Sequence, residues 1–140
     1  MRWVSRIVAS QYDFGTLYVT QTGRRDDDAQ VYIWRSTDFG ESWEDISGNI
    51  PAGPVNVIRE DPTDKNILYV GTDVGVYVSK DKGSTWNVLG DLPCAYVHDL
   101  AIHPRENLLI IATHGRGMFV LDADPVNNKE NQEEKEWWED

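Results

Sequence analysis

The chain has 140 residues, of which 40% are hydrophobic and 26% are charged, and its formal net charge is −11. This length suits one domain or part of a larger one. The acidic balance disfavours a nucleic-acid partner, because an acidic chain repels phosphate backbones. No apolar run reaches the roughly 18 residues that a membrane span needs. The single cysteine, Cys94, excludes an internal disulfide. We predict no cofactor.

Three segments of the chain repeat one pattern. VSRIVASQYDFGTLYV begins at Val4, VNVIREDPTDKNILYV at Val55 and VHDLAIHPRENLLIIAT at Val97. The octapeptides STDFGESW (residues 36–43) and SKDKGSTW (residues 79–86) both fit S-x-D-x-G-x-[ST]-W. The first two segments are 51 positions apart, the second and third 42, and the octapeptides 43. The difference predicts an insertion in the first repeat, where TGRRDDDAQ stands.

The repeats read as short strands in chain order. They cover residues 4–9, 16–19, 31–36 and 43–46, then 55–60, 67–71, 75–79 and 86–89, and finally 97–102, 108–112 and 117–121. These runs are rich in Val, Ile, Tyr and Trp and are bounded by turn residues. Four short antiparallel strands in about 40 to 50 residues are typical of a β-propeller blade. A β-sandwich, the alternative, does not require such internal similarity.

The sequence therefore predicts an all-β chain of about two and three-quarter propeller blades in an incomplete ring. Blade one covers residues 4–50, blade two residues 55–92 and a partial blade three residues 96–122. An acidic C-terminal tail follows at residues 125–140. The pairs Asp61-Pro62 and His103-Pro104 occupy matching repeat positions and are interpreted as turn chemistry.

Each fixed position of the octapeptides has a structural interpretation. An aspartate at the start of a tight turn accepts hydrogen bonds from backbone N–H groups ahead of it. The glycine permits a positive φ, the serine adds a hydroxyl bond, and the tryptophan buries a large apolar area between sheets. These positions are Ser36, Asp38, Gly40 and Trp43 in the first copy and Ser79, Asp81, Gly83 and Trp86 in the second. Because no nucleophile–base pair occurs among them, we predict no catalytic residue and no metal ligand there.

The two octapeptides resemble the Asp-box, also called the bacterial neuraminidase repeat. This motif occurs on blade hairpins of sialidases, sortilin-type receptors and xyloglucan-cleaving glycoside hydrolases. The segments WVSRIVAS, STDFGESWEDIS, VIREDPTDKNILYVGTDVGVYVS and VHDLAIHPRENLLIIATHGRGMFVLD look like the C-terminal end of large bacterial sortilin-like propeller proteins. This resemblance covers residues 3–124 and implies a secreted, extracellular or periplasmic protein.

The third repeat lacks an octapeptide and a fourth strand. Since propellers close with about 4 to 8 blades, and open sheet edges invite pairing with other chains, further blades are predicted as partners. They belong either to the same propeller, of which this chain is the C-terminal part, or to other copies through self-association.

Loops on a rigid scaffold usually carry the binding residues. The links between second and third strands share one face with the blade crossings, and they supply the candidate ligand face: Arg24, Arg25, Asp26, Asp73, His114 and Arg116. A glycan or peptide is the expected ligand. The alternatives are solvated Arg–Asp pairs, a calcium site at Asp26, Asp27 and Asp28, or a catalytic loop at residues 114–117. His98 and Asp99 lie on an innermost strand, where side chains line a central channel or satisfy structural bonds.

These observations predict a non-catalytic structural or binding module. The alternative is a fragment of a glycoside hydrolase, sialidase-like or xyloglucanase-like, whose paired carboxylates lie mostly outside this chain. A third possibility is an assembly factor, because the propeller that aids photosystem II shares these repeats.

Overall fold

The computed structural model describes residues 2–51, 53–90 and 94–127, and these residues form eleven strands and two short helical turns. The strands are β1 (Trp3–Ala9), β2 (Leu17–Gly23), β3 (Asp28–Ser36), β4 (Glu44–Asp45), β5 (Val55–Glu60), β6 (Leu68–Thr72), β7 (Val76–Ser79), β8 (Asn87–Val88), β9 (Val97–His103), β10 (Leu108–Thr113) and β11 (Met118–Asp122). A 3₁₀ helix covers Arg24–Asp26, and α1 covers Asp124–Asn127.

The strands form three antiparallel sheets that follow the three repeats. Their orders are β1-β2-β3-β4, β5-β6-β7-β8 and β9-β10-β11. The predicted all-β propeller architecture with an incomplete ring is therefore confirmed, and we call the sheets blade one, blade two and blade three. Strand β11 has no neighbour on its outer side among the described residues.

The apolar core lies in the two interfaces between the blades. Blade two is covered on both sides, so every residue of β6 is buried. Successive side chains of a strand point to opposite faces. Accordingly, Leu68 and Val70 pack with blade one while Tyr69 packs with blade three. Gly71 allows blade three to approach closely, because a Cβ at this position would lie 2.5 Å from Val97 Cγ1.

The insertion lengthens a hairpin of blade one rather than adding a long loop. The predicted strands at residues 16–19 and 31–36 left residues 20–30 as a link, but β2 continues to Gly23 and β3 already begins at Asp28. The register of the pair shifts between Gln21 and Gly23. Gly23 makes this pairing sterically possible, since a Cβ there would lie 2.5 Å from the Asp28 Cβ. The insertion is thus absorbed into the sheet.

The two octapeptide tryptophans have different environments. Trp86 is 2% exposed, and its indole Nε1 donates to the Ile46 carbonyl of blade one at 2.9 Å. Asn49 accepts from the Trp86 N–H at 2.6 Å and donates to the Trp86 carbonyl at 2.9 Å.

Trp43, in contrast, is 43% exposed, so its expected burial between sheets was wrong. It lines a cleft of about 320 Å³ with Val19, Gln21 and Trp34 on the outer face of blade one. The physical reason is that burial of this position depends on a preceding blade. Blade one supplies that cover to Trp86, and no described residue supplies it to Trp43.

The first residues of the predicted tail belong to the packed structure. Helix α1 buries Val126 and Asn127, although residues from 125 onward were expected to form a separate acidic tail. The Asn127 carboxamide exchanges two hydrogen bonds with Asn107, at 2.6 and 2.7 Å, and donates to Asp61 at 3.1 Å. Residues 128–140 of the predicted tail lie outside the described residues.

Asp61 lies at the meeting point of the three blades and is fully buried. Its Oδ2 accepts from Tyr69 of blade two at 2.9 Å and from Asn127 of blade three. Its backbone carbonyl accepts from Tyr12 and Gln11, which follow the first strand of blade one. The residue that was interpreted as turn chemistry therefore also connects the blades.

We expect Trp86→Ala to lower the free energy of unfolding by about 3–5 kcal/mol, the usual cost of a large-to-small change in a core. Trp43→Ala serves as the matched control and should cost below about 1 kcal/mol, because its side chain is already half in water. Urea denaturation of both variants measures the difference. Equal losses would contradict the packing described for the two blades.

Candidate functional site

The two octapeptide turns direct their carboxylates at their own backbone. In the first turn, the Ser36 hydroxyl donates to Asp38 Oδ1 at 2.8 Å and accepts from the Gly40 N–H at 2.8 Å. Asp38 then accepts from both the N–H and the hydroxyl of Ser42. The turn also contacts the link between β1 and β2, because the Phe39 N–H donates to the Gly15 carbonyl at 3.0 Å.

The second turn repeats these bonds position by position. Ser79 donates to Asp81 at 2.8 Å and accepts from Gly83 at 2.7 Å, and Asp81 accepts from the N–H and the hydroxyl of Thr85. Gly83 adopts a φ of 95° and the preceding Lys82 a φ of 57°. Both values lie in the left-handed region, which glycine tolerates best. The left-handed residue before the glycine was not predicted.

These hydrogen bonds stabilise the charged form of the two aspartates. Bonds from Ser42, first from its side chain and then from its backbone, lower the pKa of Asp38 from 3.8 to about 2. The side chain of Thr85 is the largest cause of the lowered pKa of Asp81. A carboxylate held ionised by its own turn is poorly suited to donate a proton at neutral pH. The geometry therefore supports a structural role.

The opposite end of the blades brings part of the predicted ligand face together. Arg24 of the 3₁₀ helix forms an ion pair with Asp73, which follows β6. The same guanidinium donates to Asn56 Oδ1 at 2.8 Å, and Asn56 in turn donates to Asp73 at 2.9 Å and to the Val97 carbonyl at 2.9 Å. The three blades are thus tied at one polar node.

Aromatic rings adjoin this node on the blade-three side. The Arg24 guanidinium lies 4.5 Å from the centroid of the Tyr96 ring. Tyr96 meets His114 edge-to-face at 5.8 Å and stacks with His98 at 6.3 Å. We call Tyr96, His98 and His114 the rim ledge. Both histidines are exposed, so the ledge offers ring surfaces and nitrogen atoms to solvent.

The other predicted face residues are not part of the node. Arg25 lies over the Trp3 ring at 4.5 Å, on blade one. Asp26 ends the 3₁₀ helix, and Arg116 is exposed in the link between β10 and β11. The proposed calcium ligand Asp28 is engaged elsewhere, since it pairs with Arg2 at 2.7 Å.

The innermost strands carry a further charged cluster. Asp99 of β9 accepts from Arg59 of β5 at 3.0 Å and pairs with Arg6 of β1 at 3.2 Å. The Arg59 Nε also donates to the Leu100 carbonyl at 2.9 Å. Asp99 therefore forms ion pairs with arginines of blades one and two. His98, its neighbour in sequence, belongs to the rim ledge.

Sequence reasoning missed Asn56 and Tyr96 of this site. Asn56 is polar within an apolar strand, and Tyr96 directly precedes β9 in a blade crossing. The signal for Asn56 was its polar side chain in an apolar strand, because a buried polar residue usually has a bonding role.

Within the described ranges, no group of three or more His, Cys, Asp or Glu side chains is arranged to hold a metal ion. Neither of the two helical turns there has the length and apolar character needed to cross a membrane.

Comparison with known proteins gives partial matches to xyloglucanases. No family model matches the chain. Xyloglucanase Xgh74A of Acetivibrio thermocellus is 37% identical over 78 residues, which are 48% of this chain and 9% of that protein. An oligoxyloglucan-reducing end-specific xyloglucanase of Emericella nidulans is 30% identical over 79 residues, 51% of this chain and 10% of that protein. The chain spans about a tenth of the length of these relatives.

Solved structures match over more of the chain. A GH74 enzyme of Niastella koreensis superposes with a TM-score of 0.68 at 17% identity, over 86% of this chain and 20% of that one. YCF48 bound to D1 peptide superposes with a TM-score of 0.60 at 15% identity, over 86% of this chain and 37% of that one. These likenesses show the β-propeller fold.

The lowered aspartate pKa values predict a specific acid sensitivity. A carboxylate whose pKa is lower in the folded state stabilises the fold fully above its unfolded pKa, and this contribution disappears as pH falls through the folded pKa. For Asp38 the window runs from about pH 4 down to about pH 2. The melting temperature should therefore fall more steeply across this window than in Asp38→Asn. An equally steep fall of the melting temperature in Asp38→Asn would contradict the stabilising role of the Ser42 hydrogen bonds to Asp38.

Proposed function

We propose that this chain is a non-catalytic module, the C-terminal part of a sortilin-like Asp-box β-propeller, and that it binds carbohydrate at its rim. The observation that carries the proposal is the node at which Arg24, Asp73 and Asn56 hold the rim ledge in place. Ligand sites combine apolar or aromatic surface with a few fixed polar groups. Here the polar groups are fixed by three blades rather than by one mobile loop.

The acidic residues support a binding role. Asp38 and Asp81 are bonded within their own turns. Asp73 at the rim pairs with Arg24 and accepts a hydrogen bond from Asn56, so its carboxylate is held in a fixed position. Exposed groups at the rim include His98, His114 and Arg116.

The relatives favour carbohydrate as the ligand class. The matching segments of the two xyloglucanases cover about half of this chain, at 37% and 30% identity. A peptide is the competing ligand, because the YCF48 structure holds a peptide on a similar fold. Under this proposal the protein is extracellular or periplasmic, as the sortilin-like resemblance implies.

Further blades complete the module in this proposal. Trp43 occupies the repeat position of Trp86 but lacks its cover, and the cleft beside it suits the segment after the fourth strand of a preceding blade. Met118 and Val120 on β11 are also largely exposed, and they offer an apolar face to a following blade, while the backbone edge of β11 is available to a fourth strand. A longer polypeptide or other copies of the chain would supply these partners.

A glycoside hydrolase fragment is the second candidate. The xyloglucanase identity favours it, while the carboxylate pair that such chemistry needs would involve residues outside this chain. An assay of the chain on xyloglucan, alone and within any longer polypeptide that carries it, separates the two candidates. Turnover that is abolished by Asp73→Asn would overturn the non-catalytic proposal.

We expect the chain to bind xyloglucan oligosaccharides, and His114→Ala to weaken binding at least about fivefold, because about 1 kcal/mol corresponds to that factor. Isothermal titration with the oligosaccharides and with a set of short peptides measures this. Lys80→Ala, an exposed change at the octapeptide end, is the matched control and should leave affinity unchanged. Binding of peptides with no saccharide binding would contradict the assignment of carbohydrate.

A further inference from the structure

A second cavity opens at the octapeptide end of the molecule, between blade one and blade two. Its volume is about 210 Å³, and its lining side chains are Asp13, Thr16, Tyr18, Arg35, Thr37 and Lys82. This is enough space for a small polar molecule, since a water occupies about 30 Å³ of liquid volume. The cavity lies at the opposite end from the rim ledge, so the rim proposal does not involve it.

Two donors at this cavity lack acceptors among the described residues. Tyr18 is 2% exposed, and its hydroxyl makes no hydrogen bond to a described residue. Arg35 Nε is buried and has no hydrogen-bond partner there. Burial is the largest cause that raises the pKa of Tyr18 to about 12, so the phenol keeps its proton. Of the two, Arg35 Nε is the enclosed donor, and a buried donor without an acceptor is costly and usually has an explanation. The Tyr18 hydroxyl opens to the cavity, where a ligand can reach it.

The repeat shows what Tyr18 lacks. Its counterpart 51 positions later is Tyr69, whose hydroxyl donates to Asp61 Oδ2 at 2.9 Å. The counterpart of Asp61 in blade one is Ser10. Blade two therefore supplies a carboxylate to its tyrosine, and blade one has a hydroxyl at the corresponding position.

Ser10 reproduces one carboxylate oxygen of Asp61 and not the other. Asp61 Oδ1 accepts from the N–H groups two and three residues ahead, at 2.8 and 3.1 Å. Ser10 Oγ accepts from the N–H groups two and three residues ahead as well, at 3.1 and 3.2 Å. The atom without an equivalent is Oδ2, the acceptor for the tyrosine. The turn is thus conserved between the blades while the tyrosine acceptor is missing.

Lys82 is the cation at this cavity that is available to an anion. Arg35 also lines the cavity, but its Nη1 donates to the Lys82 carbonyl at 2.9 Å and its Nη2 pairs with Glu44 at 2.8 Å. Lys82 Nζ is 3.8 Å from Asp13, at the outer limit of an ion pair. The nearby Glu60 is occupied, because it accepts from Ser10 at 2.6 Å and from the Gln11 N–H at 2.9 Å.

We propose that this cavity binds the carboxylate group of a small ligand, which takes the place of Asp61 Oδ2 in the blade-one copy of the repeat. Tyr18 donates to the carboxylate, and Lys82 supplies the positive charge, since charge-assisted bonds are the stronger ones. The source is either a free organic acid or a sugar acid, and both present the same group.

Titration of the whole chain with sodium acetate tests this site, followed by NMR at constant ionic strength. Saturable shifts at Tyr18 and Lys82 are expected, and Tyr18→Phe should weaken acetate binding about tenfold, the factor that corresponds to one good hydrogen bond. Lys82→Gln should weaken it as well. Absence of saturable shifts, or unchanged affinity in Tyr18→Phe, would overturn the proposal.

Matched controls and further probes complete the design. Tyr69→Phe removes the corresponding hydroxyl of blade two, and Lys80→Gln removes a neighbouring exposed charge; both should bind acetate as the unchanged chain does. Circular dichroism verifies that every variant is folded. Glucuronate binding more tightly than acetate supports a sugar acid, and equal affinities support a free organic acid. Sulfate that binds as well as acetate would overturn the carboxylate assignment.

Discussion

The packing of one blade's tryptophan on the preceding blade is the contact on which the rest of the structure depends. Trp86 fills the interface between blade one and blade two, and its indole, its N–H and its carbonyl are all bonded to residues 46–49. The same short segment packs against the Trp86 ring and bonds its polar groups, so the angle between the two sheets is fixed there. The octapeptide turn that precedes Trp86 places the ring for this contact.

The same repeat positions have different roles because their neighbours differ. Trp86 is covered and Trp43 is exposed, although both follow the same turn. Tyr69 donates to a carboxylate, while Tyr18 faces a cavity at the equivalent place. In both pairs the backbone conformation is the same, but the residues that surround the side chain differ. A repeat fold can therefore hold structural and binding versions of one position within a single chain.

The sequence predicted the fold well, because strand spacing and apolar alternation act locally. The four strands of each complete blade follow from the repeat, and the missing fourth strand of blade three follows from the absent octapeptide. The outer strands β4 and β8 are shorter than predicted, since pairing there involves two residues each. The repeat spacing located the insertion but did not predict its conformation, because its absorption into a hairpin depends on the close approach of Gly23 and Asp28.

The candidate site was only partly predictable. Arg24 and Asp73 lie 49 positions apart, and alternation of the blade faces was sufficient to place them on one rim. The partners of Asn56 and Tyr96 and the blade-connecting role of Asp61 depend on how neighbouring blades align, which no local pattern encodes. The exposure of Trp43 likewise depends on a surface that the motif does not contain.

Hydrogen exchange of the two indole N–H groups, followed by NMR, tests the blade contact most directly. The Trp86 indole is buried and donates to Ile46 at 2.9 Å, whereas Trp43 lies beside an open cleft. The account predicts that the Trp86 indole exchanges at least about a hundredfold more slowly, because exchange there requires the blades to separate. Similar exchange rates for the two indoles would contradict it.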